Sequence, residues 1–394
     1  MLTPSKEAIQ TIMKIIFMHK DIPVGSFDIV PNTGRISSEL IPENPEHLPI
    51  PVQYADDQTY ALANWIRMRS ISKSREDLAM LLSVYRVETP EALSFKNLGL
   101  NLSDQYWFQP EGADLQYDEV NLFIHDFEPI DLPIHHLSSF SPDSSSNGNL
   151  RKYWEIGKDS IRYLYKAGSR PFFQQPYNEV AAARILDLLD IPHVPYSVVK
   201  RDGEALSVCP TFIDPDTEYI PALDILGVSP QKKNESAFRH FQNCVKQLAI
   251  PMKPLDIPNL IAFDYLIQNS DRHYGNFGFL RDANTLAFKG MAPVFDNGNS
   301  LWYMDLTQNM RFKDQPAKPF RDTQEKQLKL AEGSALPLKN LSDDKLEQIV
   351  EESYLGADNV DAKRQKTILK NLKTARDYLK SQQSHWMPDQ SIQH

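Results

Sequence analysis

The stretch FDYLIQNSDRHYGNFGF, residues 263–279, decides how this chain is read. An apolar run suited to a buried helix ends at Asn269-Ser270, and Asp271 then opens a polar loop. Asn276 follows five positions later, at the mouth of an expected strand. Twenty residues after Asn276, a second expected strand ends in Phe295-Asp296-Asn297-Gly298. Phosphoryl transfer needs a set of this kind. A carboxylate orients the acceptor hydroxyl and takes its proton, and magnesium prefers hard oxygen ligands such as Asp carboxylate and Asn carbonyl. On this reading Asp271 is the catalytic residue, and Asn276 and Asp296 hold the metal. Gly298 relaxes the backbone just after the second ligand. Taken alone, D-R-H-x-x-N also fits a polar loop in which Asp and Asn serve turns.

Upstream partners strengthen the chemical reading. Lys166 closes the expected strand SIRYLYKAG, where a lysine would meet the α- and β-phosphates of a nucleotide. Glu179, thirteen residues later, opens NEVAAARIL and is placed to pair with Lys166. Either residue alone reads as an ordinary solvated charge; their order and separation single out the pair. The segment DSSSNGN, residues 143–149, can fold over phosphates with hydroxyl and backbone N–H donors, and Lys152 can add charge there. It holds one glycine, lacks a GxGxxG pattern, and reads equally as a polar linker. Nothing matches a Walker A loop.

Working outward, 394 residues suggest two units. Residues 1–135 read as a mixed α/β unit, with strands at Ile12–Phe17 and Val24–Val30 and helices at Asp56–Arg69 and Ser74–Val84. The aromatics of NLSDQYWFQP, residues 101–110, read as a packing anchor against the second unit or as a docking surface. In the second unit, strands are expected at Lys152–Ile156 and Ser160–Lys166, with a helix from Asn178. A hairpin is expected from Tyr196–Arg201 and Ala205–Thr211 around Asp202-Gly203. Past residue 232 the sequence turns mainly helical, except for short strands within residues 277–295, and it ends in an amphipathic helix over Asp361–Gln382.

Bulk properties exclude several classes. The hydrophobic fraction of 41% and charged fraction of 24% are those of an ordinary globular protein. A net charge of -10 argues against nonspecific nucleic-acid binding, which rests on Lys and Arg meeting phosphates. The only two cysteines, Cys209 and Cys244, form no CxxC pair, so neither a zinc cage nor a disulfide framework is indicated. With no long apolar run and no signal-peptide layout at the start, a cytoplasmic protein without a membrane span is expected.

The ordered set DSSSNGNLRKYW, YLYKAG, PYNEVAAARIL, NSDRHYGNFGF and APVFDNG resembles HipA-like Ser/Thr protein kinases, including the CtkA-like proteins. The DRH…N…D arrangement is also similar to that of phosphatidylinositol 3- and 4-kinases. The resemblance spans roughly residues 138–385. It implies an α+β, bilobed protein-kinase-like fold over residues 136–394. A small β-rich N-lobe (about 136–215) would precede a mainly helical C-lobe (about 216–394), with ATP and Mg2+ between them. It implies Asp271 as catalytic aspartate, Asn276 and Asp296 as magnesium ligands, and Lys166 on ATP. Ser144, Ser145, Ser146 and Gly148 would form the phosphate loop, one of whose serines can be autophosphorylated, and Val208–Phe212 would form the adenine hinge. Arg272 and His273 are given structural roles first. The implied activity is phosphorylation of Ser or Thr on a protein. In this family some members are growth-arresting toxins that act on aminoacyl-tRNA synthetases, usually beside an antitoxin partner. A small-molecule or lipid kinase, and an inert nucleotide-binding module, are the competing readings.

Overall fold

The protein is described by a computed structural model over residues 12–71, 78–125, 150–312 and 315–386. The chain folds as two compact units, residues 1–149 and 150–394. The fold is mixed α+β, and the described residues form three sheets whose strands pair antiparallel. No helix among the described residues is long and apolar enough to cross a membrane.

In the first unit, alternating apolar residues make strands with one buried face. The sheet joins β1 (Met13–His19), β2 (Ile22–Val30), β3 (Arg35–Ile36), β4 (Ile41–Pro42) and β5 (Tyr106–Pro110) in the path β3-β2-β1-β5, with β4 also on β2. Helices α1 (Ile50–Gln53), α2 (Gln58–Arg69), α3 (Leu78–Tyr85), α4 (Pro90–Lys96) and α5 (Tyr117–Val120) complete it. Asp57 caps α2 by accepting from the Tyr60 N–H at 2.9 Å. The expected start of the next helix, from Ser74, lies outside the described residues. Tyr106 and Phe108 belong to this unit's core with Phe17, Phe27 and Trp65, because the stretch is a strand paired to β1 and its alternation turns both rings inward.

In the second unit, β6 (Lys152–Ile156), β7 (Arg162–Ala167), β8 (Ser197–Arg201) and β9 (Glu204–Pro210) form a sheet ordered β6-β7-β9-β8. The β8–β9 turn has Asp202 and Gly203 at φ 50° and 80°, the positive-φ pair that a tight hairpin prefers. Helix α6 (Gln175–Leu188) buries Ala181, Ala182, Ile185 and Leu186. It starts three residues before the expected Asn178, because Pro176 sits in the first turn, where its missing N–H costs no helical bond.

A second sheet, β10-β11-β12, is made of Thr217–Pro221, Gly278–Asp282 and Phe288–Met291. The other helices of this unit are α7 (Ala222–Ile225), α8 (Ala237–Gln247), α9 (Asp256–Ile267), α10 (Gln324–Leu328), α11 (Asp343–Ser353) and α12 (Ala362–Trp386); α7 packs on the sheet, while α11 packs on α6 and α12. Strand β10 had no clear sequence signal, being short and bounded by Pro215 and Pro221. Its approach to β11 is close: a Cβ on Gly278 would lie 2.2 Å from the Ile220 carbonyl oxygen.

Candidate active site

The loop after α9 is shaped before any ligand is considered. Gln268 ends the helix in the left-handed region, at φ 51°. The Asn269 amide N–H donates back to the Asp264 carbonyl at 2.9 Å. The side chain of Asn269 donates to Asp264 Oδ1 at 3.1 Å and accepts from the Asp271 N–H at 3.0 Å. Asn276 Nδ2 donates to the Asp271 carbonyl at 3.1 Å, which leaves its own carbonyl oxygen as the acceptor end. Asp271 and Asn276 thus share one braced loop.

Arg272 joins that loop to the strand end carrying Asp296. Its guanidinium pairs with Asp264 (Nε to Oδ2, 3.0 Å; Nη2 to Oδ1, 3.0 Å). It also donates to the carbonyls of Asn276 (2.9 Å) and Phe295 (2.6 Å) and to Asn297 Oδ1 (2.5 Å). Arg272 is 2% exposed and Asp264 1%, so both charges are removed from water and depend on this geometry. The structural role expected of Arg272 is the one it has. His273 is likewise local scaffold: its Nδ1 accepts from the Gly275 N–H at 3.0 Å.

The second half of the site is carried by the β6-β7-β9-β8 sheet and α6. Directly opposed residues of an antiparallel pair share a face. Lys166 faces Lys152 on β6 and Ser207 on β9 in this register. Lys166 Nζ pairs directly with Asp296 Oδ1 and lies 3.9 Å from Glu179 Oε1. Glu179 Oε2 accepts the Asn297 N–H at 2.7 Å, while its buried Oε1 has no hydrogen-bond partner. Gly298 makes room here: a Cβ would stand 3.0 Å from Glu179 Oε1.

Electrostatics follow from burial and these pairings. Burial, only partly offset by Lys166, pushes the Glu179 carboxyl up to about 7. For Lys166, burial pulls downward, but Asp296 and then Glu179 outweigh it and hold the ammonium above its ordinary range. For Asp296, burial pulls upward and is overcome by Lys166, with Lys152 and Arg272 adding to the lowering. Burial pushes the nearby Cys209 thiol up to about 12. Asp296 itself sits at φ 54°, a costly conformation for a non-glycine residue that tends to mark functional positions.

Lys166, Glu179, Asp296 and Lys152 are therefore brought together, and Asp271 and Asn276 join them through Arg272. Val208 lies inside the ladder, between Tyr165 and Ser197. Phe212 lies beyond the strand end, its ring 5.2 Å from that of Phe295. Ser144, Ser145, Ser146 and Gly148 lie outside the described residues. Three participants had not been anticipated. Asn299 Nδ2 donates to Asp271 Oδ2 at 2.9 Å, Lys318 Nζ donates to Asp271 Oδ1 at 2.7 Å, and the Tyr196 hydroxyl accepts the Asp296 N–H at 3.3 Å. The polar run Asn297-Gly298-Asn299 was a usable signal for the first, and nothing in the local sequence marks the other two.

Donor chemistry decides whether a nucleotide–metal pair fits. Asp296 and Asn276 offer hard oxygens, which suits magnesium held partly by substrate phosphates. Among the described residues, no group of three or more His, Cys, Asp or Glu forms a self-sufficient metal cage.

The profile of the HipA-like C-terminal domain matches residues 144–359. Among solved structures, the chain is similar to HipA of Shewanella oneidensis MR-1, solved with HipB and its operator DNA. The identity is 14%, 92% of this chain and 97% of that one are covered, and the TM-score is 0.53. It also matches the proinflammatory kinase CtkA of Helicobacter pylori at 15% identity, over 60% of this chain and 94% of that one, with a TM-score of 0.48. A search among curated proteins gave no match.

Proposed function

We propose, from the premise that this chain belongs to the HipA-like C-terminal domain family, that it is an ATP- and magnesium-dependent kinase of Ser or Thr hydroxyls on a protein. One observation carries the reading. Lys166, Glu179 and Asp296 meet in one half-buried charge cluster, and Arg272 ties that cluster to the loop bearing Asp271 and Asn276. On this proposal residues 136–394 form the two-lobed kinase, residues 1–135 a companion unit, and ATP lies between the lobes.

Each residue then has a task. Asp296 and the Asn276 carbonyl would hold magnesium, which would neutralise phosphate charge when bound with ATP. Lys166 would give up Asp296 and pair with Glu179, whose unpartnered Oε1 already faces it at 3.9 Å. From there its ammonium would hold the α- and β-phosphates, with Lys152 alongside. Asp271 would orient the acceptor hydroxyl and take its proton. Adenine would meet main-chain groups of the Val208–Phe212 stretch, at the Phe212 end, where the chain has left the ladder. Ser144, Ser145, Ser146 and Gly148 would close over the phosphates, with one serine as a site of autophosphorylation. The HipB bound in the Shewanella structure supports an antitoxin-like protein partner here, and the family resemblance nominates an aminoacyl-tRNA synthetase as acceptor.

The test is incubation of the full chain with labelled ATP and magnesium beside Asp271→Asn and Asp296→Asn, followed by mass spectrometry. Wild type should label itself. Asp271→Asn should lose at least about a hundredfold in rate while still binding ATP, and Asp296→Asn should lose the metal dependence with the activity. Equal labelling of all three proteins would remove these residues from the reaction.

A further inference from the structure

Both oxygens of the Asp271 carboxylate are engaged, by donors held with very different firmness. Oδ2 accepts from Asn299 Nδ2 at 2.9 Å. Asn299 is fixed in turn, because its carbonyl takes both the N–H and the Oγ–H of Ser270, each at 3.1 Å. Oδ1 accepts from Lys318 Nζ at 2.7 Å, a side chain that arrives from 47 residues away and is 54% exposed. A half-exposed lysine pair is weak and opens readily. The oxygen that can be freed for a substrate is therefore Oδ1.

The main chain that carries Lys318 is anchored to the same loop. Residues 315–324 fold back on themselves, with the Gln324 N–H on the Gln315 carbonyl (2.9 Å) and the Ala317 N–H on the Asp322 carbonyl (3.0 Å). Gln327, 1% exposed, donates to the Lys318 carbonyl at 2.7 Å and accepts the Phe320 N–H at 3.1 Å. Gln324 Nε2 donates to the carbonyl of Asn269. Phe320 is buried against Phe238, Phe241 and Tyr274. A rigid turn thus delivers one mobile cation to the acceptor side of Asp271.

Resting on the kinase reading above, we propose that Lys318 is a phosphoryl-binding residue that alternates between Asp271 Oδ1 and the group being transferred. An acceptor hydroxyl arriving at Oδ1 displaces the ammonium. The hydroxyl oxygen bonds to the γ-phosphorus, and the bond to the β–γ bridging oxygen breaks with its electron pair leaving on ADP. The hydroxyl proton passes to Asp271 Oδ1. The displaced Lys318 stays beside the reacting centre and offsets the charge on the phosphoryl oxygens, a contribution made in the transition state more than in substrate binding.

The experiment uses the full chain with labelled ATP, magnesium and a mixed pool of Ser and Thr peptides, and counts label on both chain and peptides. Wild type, Asp271→Asn, Lys318→Met and Lys318→Arg are compared for kcat, KM for ATP and melting temperature. Lys318→Met should lower kcat about a hundredfold, leave KM for ATP within about twofold and leave melting unchanged, and Lys318→Arg should recover part of the rate. If Lys318→Met keeps wild-type kcat while Asp271→Asn is dead, the lysine is a passive surface pair and only this proposal falls. A Lys318→Met variant faster than wild type would make the lysine a plug, which also overturns the assignment. No transfer by wild type would overturn the kinase reading and this inference together.

Discussion

Glu179 is a carboxylate at 1% side-chain exposure, facing a lysine it meets only at 3.9 Å. Burial of this carboxyl favours its neutral form, which is why it is pushed from the ordinary 4.5 up to about 7. Because its folded-state value is raised, the stability it supports is complete below about pH 4.5 and is lost as pH rises through about 7. The proposed role of Glu179 needs the charged form. Stability and function therefore pull this residue in opposite directions across neutral pH. The kcat/KM for ATP, which reports ionisations of the free enzyme, should fall below about pH 7. Glu179→Gln should be slower throughout and flat over that range. Its melting temperature should gain on wild type as pH is raised from about 5 to about 8, because the variant has no charge to bury. An acidic limb that survives in Glu179→Gln would assign the titration to another group.

At the scale of elements, the crossing of β10 and β11 positions the loop that holds Asn276. Gly278 pairs with Pro221, and any Cβ there would press on the Ile220 carbonyl at 2.2 Å. The obstructing atom is backbone, so relief requires β11 to move off β10. Gly278→Ala should therefore destabilise the chain by about 1–3 kcal/mol. It should also weaken nucleotide binding, since Asn276 lies two residues upstream; urea unfolding would read the first effect and calorimetric titration with ATP and magnesium the second, and an unchanged affinity would separate the ladder from the site. Much of this layer was legible in sequence. The β8–β9 hairpin announced itself through Asp202-Gly203, and the DRH…N loop through the switch from apolar helix to polar turn. What was not legible depends on distant contacts. Lys318 and Asn299 reach Asp271 across 47 and 28 residues, and no local periodicity encodes such a meeting. The early start of α6 was hidden because Pro176 reads as a breaker unless its place in the first turn is known. The aromatics of residues 101–110 read as an anchor or a docking surface, and only the pairing of Tyr106 and Phe108 with β1 shows the core they complete.

The whole molecule consists of two compact units, and the first has an aromatic core of its own around Phe17, Phe27, Trp65, Tyr106 and Phe108. A unit with its own core can unfold in its own transition. The described residues of the candidate site, Lys152, Lys166, Glu179, Asp271, Asn276 and Asp296, all lie within residues 150–394. Ligand binding stabilises only the folded unit that binds, by about 2.7 kcal/mol when free ligand is a hundredfold above Kd. For a unit of this size that corresponds to a rise of roughly 5–10 °C. Scanning calorimetry of the full chain should therefore show two transitions, of which ATP with magnesium raises one and leaves the other in place. Lys166→Ala should abolish most of that rise without moving the unresponsive transition. If ATP instead shifts a single transition for the entire chain, the two units unfold together, and residues 1–135 must be treated as part of the machine that binds the nucleotide rather than as its companion.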